Sequence, residues 1–179
     1  MSITVLKPGL QSTIQDLGRY NYSHFGISAS GAADPLSLQI GNMLIGNKKY
    51  ASAIEMTIIG GEFQFNVECY IAISGSEFDA ALDNNVITNH KAIKVSKGQT
   101  LSVGQTKTGA RVYLCVQGGI NVDSYLSSKS THILSGIGGH FGRPIIKGDV
   151  LTFGKNENSV IPKLINNILD MNTSILRIN

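Results

Sequence analysis

Gln15, Asp16 and Arg19 fall within the five-residue run QDLGR, and a Ser-Gly turn follows in GISASGAADP. An amide, a carboxylate and a guanidinium so close together suit the binding of an anionic group, with Arg19 as the binder and Gln15 and Asp16 orienting it. Ser28, Ser30 and Gly31 would add hydroxyl and backbone donors beside a helix start at Asp34. Their small side chains let a ligand or a neighbouring chain approach the backbone. The plainer alternative is local: Asp16 and Arg19 pair, and Gln15 bonds a loop backbone. Such a pair contributes only ~0.2–1 kcal/mol when exposed, a weak reason for the whole cluster.

The run GIGGHFGRP carries a second set, His140 and Arg143. Its glycines either make a turn or offer backbone N–H groups which, with the Arg143 guanidinium, would hold a carboxylate or phosphate. It ends in Arg-Pro and leads into a strand, which separates it from a dinucleotide-binding fingerprint, and no P-loop sequence occurs. His140 is the acid/base candidate of the set whose ordinary pKa lies near neutrality. The four histidines show no metal-ligand spacing, and neither Cys69 nor Cys115 has a Cys or His at zinc-site distance. No metal is expected. Glu55, in AIEMTIIGG, is either the polar member of an alternation or a buried carboxylate with a partner.

Many short strands must position these residues. Twenty glycines punctuate short apolar runs. EFQFNV alternates, with Phe63, Phe65 and Val67 on one face, and CYIAISG, AIKV, QTLSVG, ARVYLCVQGG and DVLTFG read as further strands. Turns are expected at Gly60-Gly61, Asp83-Asn84-Asn85, Lys97-Gly98, Thr108-Gly109 and Lys147-Gly148-Asp149. A closed or nearly closed barrel satisfies so many short strands by removing their edges. One helix is signposted: Asp34 caps it, Pro35 occupies its first position, Leu36, Ile40, Met43 and Leu44 form its apolar stripe, and Gly46-Asn47 ends it. A second short helix is expected from about 162 to 169. The fold class is mainly β, with one or two short helices.

At 179 residues the chain suffices for one well-buried core. Fifteen basic against twelve acidic residues give a net charge of +3, with no basic block beyond Lys48-Lys49, so nucleic acid is not an expected partner. No apolar segment approaches a membrane span, and the N-terminus lacks the basic and apolar regions of a signal peptide. Both cysteines sit in apolar runs and read as buried reduced thiols. The chain reads as cytoplasmic.

KPGLQSTIQDLGR, GISASGAADP, IGNMLIGN and AIEMTIIGGEFQF, followed in order by GARVYLCVQGGINVDSYLSSKST and GIGGHFGRPIIKGDVLTFG, resemble the biotin-dependent carboxyltransferase or allophanate hydrolase subunit 2 family. That family includes the C subunit of 5-oxoprolinase and the C-terminal region of urea amidolyase. The likeness covers nearly all of residues 3–154. It implies a cyclophilin-like β-barrel over 1–155, with 156–179 a linker helix and the start of a second half, since Ile175 to Ile178 resemble the first strand of that half. This chain departs from the family pattern at Tyr20-Asn21-Tyr22, where relatives tend to have Gly, and at Ser28 and Ala33, where they favour Pro and Met. At Lys129 an Arg is usual, and the exchange removes bidentate recognition of any carboxylate there.

The resemblance implies a component of an ATP-dependent amide or lactam hydrolase, either of the 5-oxoprolinase type (5-oxoproline to glutamate) or of the allophanate hydrolase type, not active alone. On that reading His140 and Asp16 are the catalytic candidates, and Gln15, Arg19, Ser30, Gly31, Asp34 and Arg143 bind substrate. ATP would act through the complex. Biotin would come only on a partner domain, because the chain lacks the Met-Lys attachment pair. Companion hydrolase subunits, a separate second-half barrel and a small-molecule substrate are the expected partners, with self-association a further option. The alternatives are a non-catalytic regulator that antagonises a kinase inhibitor, and an inactive remnant.

Overall fold

Alternation of apolar side chains builds the sheet. In the computed structural model, which describes residues 1–154, Phe63 and Phe65 are fully buried while Glu62 and Gln64, which alternate with them, stay half-exposed. The strands are β1 (Ser2–Lys7), β2 (Gln11–Gln15), β3 (Ala53–Thr57), β4 (Glu62–Phe65), β5 (Cys69–Leu82), β6 (Asn85–Val86), β7 (Ala92–Val95), β8 (Thr100–Val116) and β9 (Val150–Thr152), with helix α1 (Pro35–Leu44) between β2 and β3. All pairings are antiparallel.

β8 makes the sheet curl. One of its edges carries β5 along nearly its whole length, while the other is shared: Arg111 to Leu114 pair with β3, and Thr100 to Ser102 pair with β4. The order β2-β3-β8-β4-β1-β9, with β5 and β7 beyond β8, gives a half-barrel around one core. The fold is mainly β, as the glycine-punctuated runs predict. Ile3, Ile14, Phe63, Ile73, Leu114 and Leu151 lie in that core. No helix of the described residues is long and apolar enough to cross a membrane.

Several expectations change. Thr108-Gly109 is not a turn: β8 runs through it, and the extra length is absorbed as irregular pairing with β5, where Ser76 Oγ accepts from Ala110 N and Arg111 N. The α1 stripe is also different. Leu38, Gly41, Asn42 and Leu44 are buried, whereas Leu36 and Met43 are exposed. The cause is close approach to the sheet: a Cβ at Gly41 would lie 2.3 Å from Ser74 Oγ and 2.7 Å from Cys115 Sγ. The smallest residue therefore faces the sheet and turns the larger ones outward. Glu55, third, is a buried carboxylate with partners. The helix expected at 162–169 and the strand at 175–178 lie outside the described residues.

The helix ends and the hairpin turn are as expected, whereas Gly60-Gly61 is not a turn but links a bridge at Ile59 to β4. Asp34 Oδ1 accepts from Ser37 N at 3.0 Å, Pro35 follows at the first helical position, and Gly46 takes a left-handed φ of 72° past the helix end. Asp83 and Asn84, both with positive φ, form the tight β5–β6 turn. Both cysteines are free and buried, and burial pushes their thiols up to about 12. Asn42 and Asn47 fasten the end of α1 to Ala51 O and Val116 O, and Asn47 Oδ1 accepts from Gly118 N. That anchorage fixes the loop after β8, which lines the site.

Candidate functional site

β2 ends at Gln15, and Asp16 is the first residue beyond it. The chain is held there from two sides: Ala32 N donates to Asp16 O at 2.8 Å and Arg19 N to Ala29 O at 2.7 Å, zipping 16–19 to 29–32. Thr131 N and Oγ1 both donate to Ile14 O at 2.9 Å, laying the SSKST run against the end of β2.

Asp16 joins the two. Its Oδ1 accepts from Gly18 N, Ser128 Oγ and Ser130 Oγ at 2.7, 2.7 and 2.5 Å, and its Oδ2 from Lys129 N at 2.6 Å. Three donors converge on Oδ1 and one reaches Oδ2, so both loops hold the same carboxylate. With the residue only 8% exposed, the group acts as a clasp between loops. Arg19, 2% exposed, lies against the same clasp. It donates to Ser30 Oγ at 3.0 Å, to Ser130 O and, weakly, to Tyr125 O, and it lies 5.8 Å from the centre of the Tyr125 ring. Burial lowers its pKa and Asp16 opposes that shift. Its hydrogen bonds go to neutral oxygens of the fold. Gln15 Nε2 donates to Thr13 Oγ1 and Thr131 O, leaving Oε1 buried and unpartnered among the described residues.

Gln15, Asp16, Arg19, Ser30 and Gly31 thus come together, in company with Ser128 and Ser130. Asp34 stands apart as the cap of α1. Its N–H donates to the Tyr113 hydroxyl, which donates to Glu55 Oε2 at 2.7 Å; Ala33 N reaches the same oxygen, and Arg111 lies 3.4 Å from Oε1. Burial and Glu55 raise the Tyr113 pKa, keeping a phenol that can donate.

His140 and Arg143 form a second group around Asp149. Arg143 binds Asp149 bidentately at 2.8 and 2.9 Å, Ile146 N donates at 2.9 Å, and His140 Nε2 stands 3.6 Å from Oδ1. The Arg143 hydrogen bonds first, and Ile146 and His140 besides, hold the Asp149 pKa below its ordinary value. A depressed carboxylate stabilises the fold above its unfolded pKa of about 3.9, and that contribution is lost as pH falls through the folded value. Urea unfolding of Asp149→Asn should therefore show less stability than wild type at pH 7 and a smaller gap below about pH 4. An equal gap at every pH would remove the ion pair from that account.

Gly139 N donates to Lys129 O at 3.1 Å, so the His140 loop rests on the clasp. The segment 118–124 then separates two small cavities. One, of ≈ 220 Å³, is lined by Asp16, Tyr50, Ser52, Gly118, Ser127 and Lys129, among others. The other, of ≈ 190 Å³, is lined by Asn121, Asp123, Gly139, His140 and Phe141 with Val122. His140 has the Asp149 carboxylate beside its Nε2 and lines the second cavity. Among the described residues, no group of three or more His, Cys, Asp or Glu could hold a metal ion. Sequence reasoning missed Asp149, Tyr113 and the Ser128/Ser130 hydroxyls. The dense SSKST run and the KGD turn were the available signals.

The family model for the carboxyltransferase domain, subdomain A and B, matches residues 25–174. Urea amidolyase of Saccharomyces cerevisiae is 40% identical over 159 residues, covering 88% of this chain and 9% of that protein. The C subunit of the Escherichia coli 5-oxoprolinase is 36% identical over 155 residues, 87% of this chain and 50% of that protein. The crystal structure of the K. lactis urea amidolyase superposes with a TM-score of 0.85 at 37% identity, over 90% of this chain and 10% of that one. The chain thus spans half the length of the bacterial subunit and a small part of the fungal enzyme.

Proposed function

The chain belongs to the carboxyltransferase-domain family, subdomain A and B, and from that premise we propose that it is one component of a multi-subunit, ATP-dependent amide hydrolase of the 5-oxoprolinase type. Such an assembly opens the lactam of 5-oxoproline to glutamate; allophanate is the alternative substrate. The observation that carries the reading is the 36% identity to a free-standing 5-oxoprolinase subunit, maintained across 87% of this chain. The His140 cavity supports it, as a place where a proton can be moved, with the cavity beside the Asp16 clasp as its neighbour. His140 is the acid/base candidate, and Asp16, Arg19 and Arg143 position the loops around it.

Neither of these two cavities is large enough for a nucleotide. Both cavities fall below the ~300–1,000 Å³ of ordinary small-molecule pockets. The N-terminus of α1, where a phosphate would sit, already holds the Asp34 carboxylate. ATP would bind a companion subunit, and biotin, if used, would arrive on another domain. The chain would work in the cytoplasm with these companions and a second-half barrel.

The test is reconstitution: the chain, its companion subunits from the same cells, ATP and 5-oxoproline, with glutamate measured. Glutamate that appears only when this chain and ATP are both present supports the reading. Consumption of allophanate alone would move the assignment to that substrate. A complex that forms and hydrolyses neither would favour a partner-binding role without turnover. One observation already points that way: Asp16, Arg19 and Arg143 are engaged within the fold, while Phe25, Leu134 and Phe141 on adjoining loops are 70%, 94% and 81% exposed. Self-association would use the same apolar residues.

A further inference from the structure

We infer that the ≈ 220 Å³ cavity beside the Asp16 clasp is a binding site for the carboxylate of a small organic acid, with the Lys129 ammonium as its anchor. This deepens the proposed function by assigning its substrate's carboxylate an anchor in the cavity next to that of His140, and so rests on that reading for its substrate, though not for its geometry.

Lys129 is partly buried in the wall of the cavity, and its backbone is fixed at both ends, N–H on Asp16 Oδ2 and C=O on Gly139 N. Its Nζ makes one long contact, 3.5 Å to Ile120 O. That oxygen already accepts from Ser52 Oγ at 2.5 Å. Among the described residues no carboxylate lies within ion-pair distance of Nζ; the other lysines without one, Lys48, Lys49, Lys91, Lys97 and Lys147, are exposed, whereas Lys129 is partly buried. The one acid in the lining, Asp16, accepts three hydrogen bonds on Oδ1 and one on Oδ2, with Arg19 for a charged neighbour. An ammonium in a concave, partly desolvated site with an acceptor on one side is a charge awaiting a counter-ion.

The surroundings favour an anion as well. Ser124 and Ser127 line the cavity, and among the described residues neither hydroxyl has a hydrogen-bond partner, so both are free to donate. Leu126 and Ser127 form the tight turn between Tyr125 and Ser128 with φ of 50° and 61°, a left-handed pair without glycine. Strain of that kind persists where surrounding structure imposes it, and here it sets Ser127 on the cavity wall. Tyr50 is also in the lining, and Lys48 Nζ lies 5.9 Å from its ring centre. Asp123 belongs to the neighbouring cavity. An ammonium gives no bidentate fork, so the hydroxyls must orient the carboxylate.

The experiment is titration calorimetry on the isolated full chain with 5-oxoproline, with its decarboxylated analogue 2-pyrrolidinone, and with inorganic phosphate as probes. Binding of 5-oxoproline, at least about tenfold weaker binding of 2-pyrrolidinone, and a similar loss for Lys129→Met with unchanged thermal unfolding support the inference. Partial recovery in Lys129→Arg supports it further. No 5-oxoproline binding by wild type, equal binding by Lys129→Met, or phosphate bound as tightly as 5-oxoproline would each overturn it. Because no companion subunit or ATP is present, Lys129-dependent binding would survive a failed reconstitution. Turnover in a complex carrying Lys129→Met at unchanged KM would sink this inference and leave the hydrolase reading intact.

Discussion

Asp16→Asn should cost about 3–5 kcal/mol in urea unfolding, a large part of the ~5–15 kcal/mol that holds a domain of this size folded. The carboxylate is the sole acceptor shared by Gly18 N, Lys129 N and the hydroxyls of Ser128 and Ser130. An asparagine keeps the shape but turns an NH₂ toward one or more of these donors, leaving buried N–H and O–H groups unpaired. It also strips Arg19, 2% exposed, of the negative charge that offsets its burial. Asp79→Asn is the control: Asp79 pairs with Lys107 on the surface, both side chains being more than half exposed. That change should be hardly measurable. Equal effects of the two substitutions would mean that the loops are held by something other than the clasp.

Gly138→Ala is expected to be nearly as damaging, at about 3–5 kcal/mol. Two effects add. An alanine at φ of 68° carries the left-handed cost of ~1–2 kcal/mol. Its Cβ would also stand 2.1 Å from Ser130 O and 2.7 Å from Arg19 Nη2, the two ends of a charged hydrogen bond worth ~1.5–3 kcal/mol. Gly136→Ala isolates the first effect, because Gly136 has a φ of 63° and open space where its Cβ would go. It should cost only ~1 kcal/mol. If calorimetric melting showed the two variants equally destabilised, the contact between the His140 loop and the clasp would carry no weight in the fold.

The strands were legible in the sequence because their signal is local: Phe63 and Phe65 alternate with polar residues, and Asp83-Asn84 permits a turn whatever surrounds it. The cap at Asp34 was legible for the same reason, since a carboxylate three residues before a backbone N–H needs no distant partner. The α1 stripe was misread because Gly41 contributes no apolar signal, yet its lack of a side chain is what lets the helix settle on Ser74 and Cys115. Thr108-Gly109 looked like a turn, and only the partner strand β5 allows it to be an irregularity within β8.

The candidate site divides the same way. From the sequence alone came the family, the mainly β fold and the grouping of Gln15, Asp16, Arg19 and Ser30, because these residues lie close together along the chain or in recognisable runs. The tertiary structure alone decided what each does. It set Ser128 and Ser130 on an aspartate 112 and 114 residues away, closed Asp149 on Arg143 and His140, and left Lys129 in a cavity wall with no carboxylate within ion-pair distance among the described residues. Charge type is a property of a residue, but whether that charge is satisfied depends on which loops the sheet brings within about 3 Å of it, and no local pattern encodes that distance.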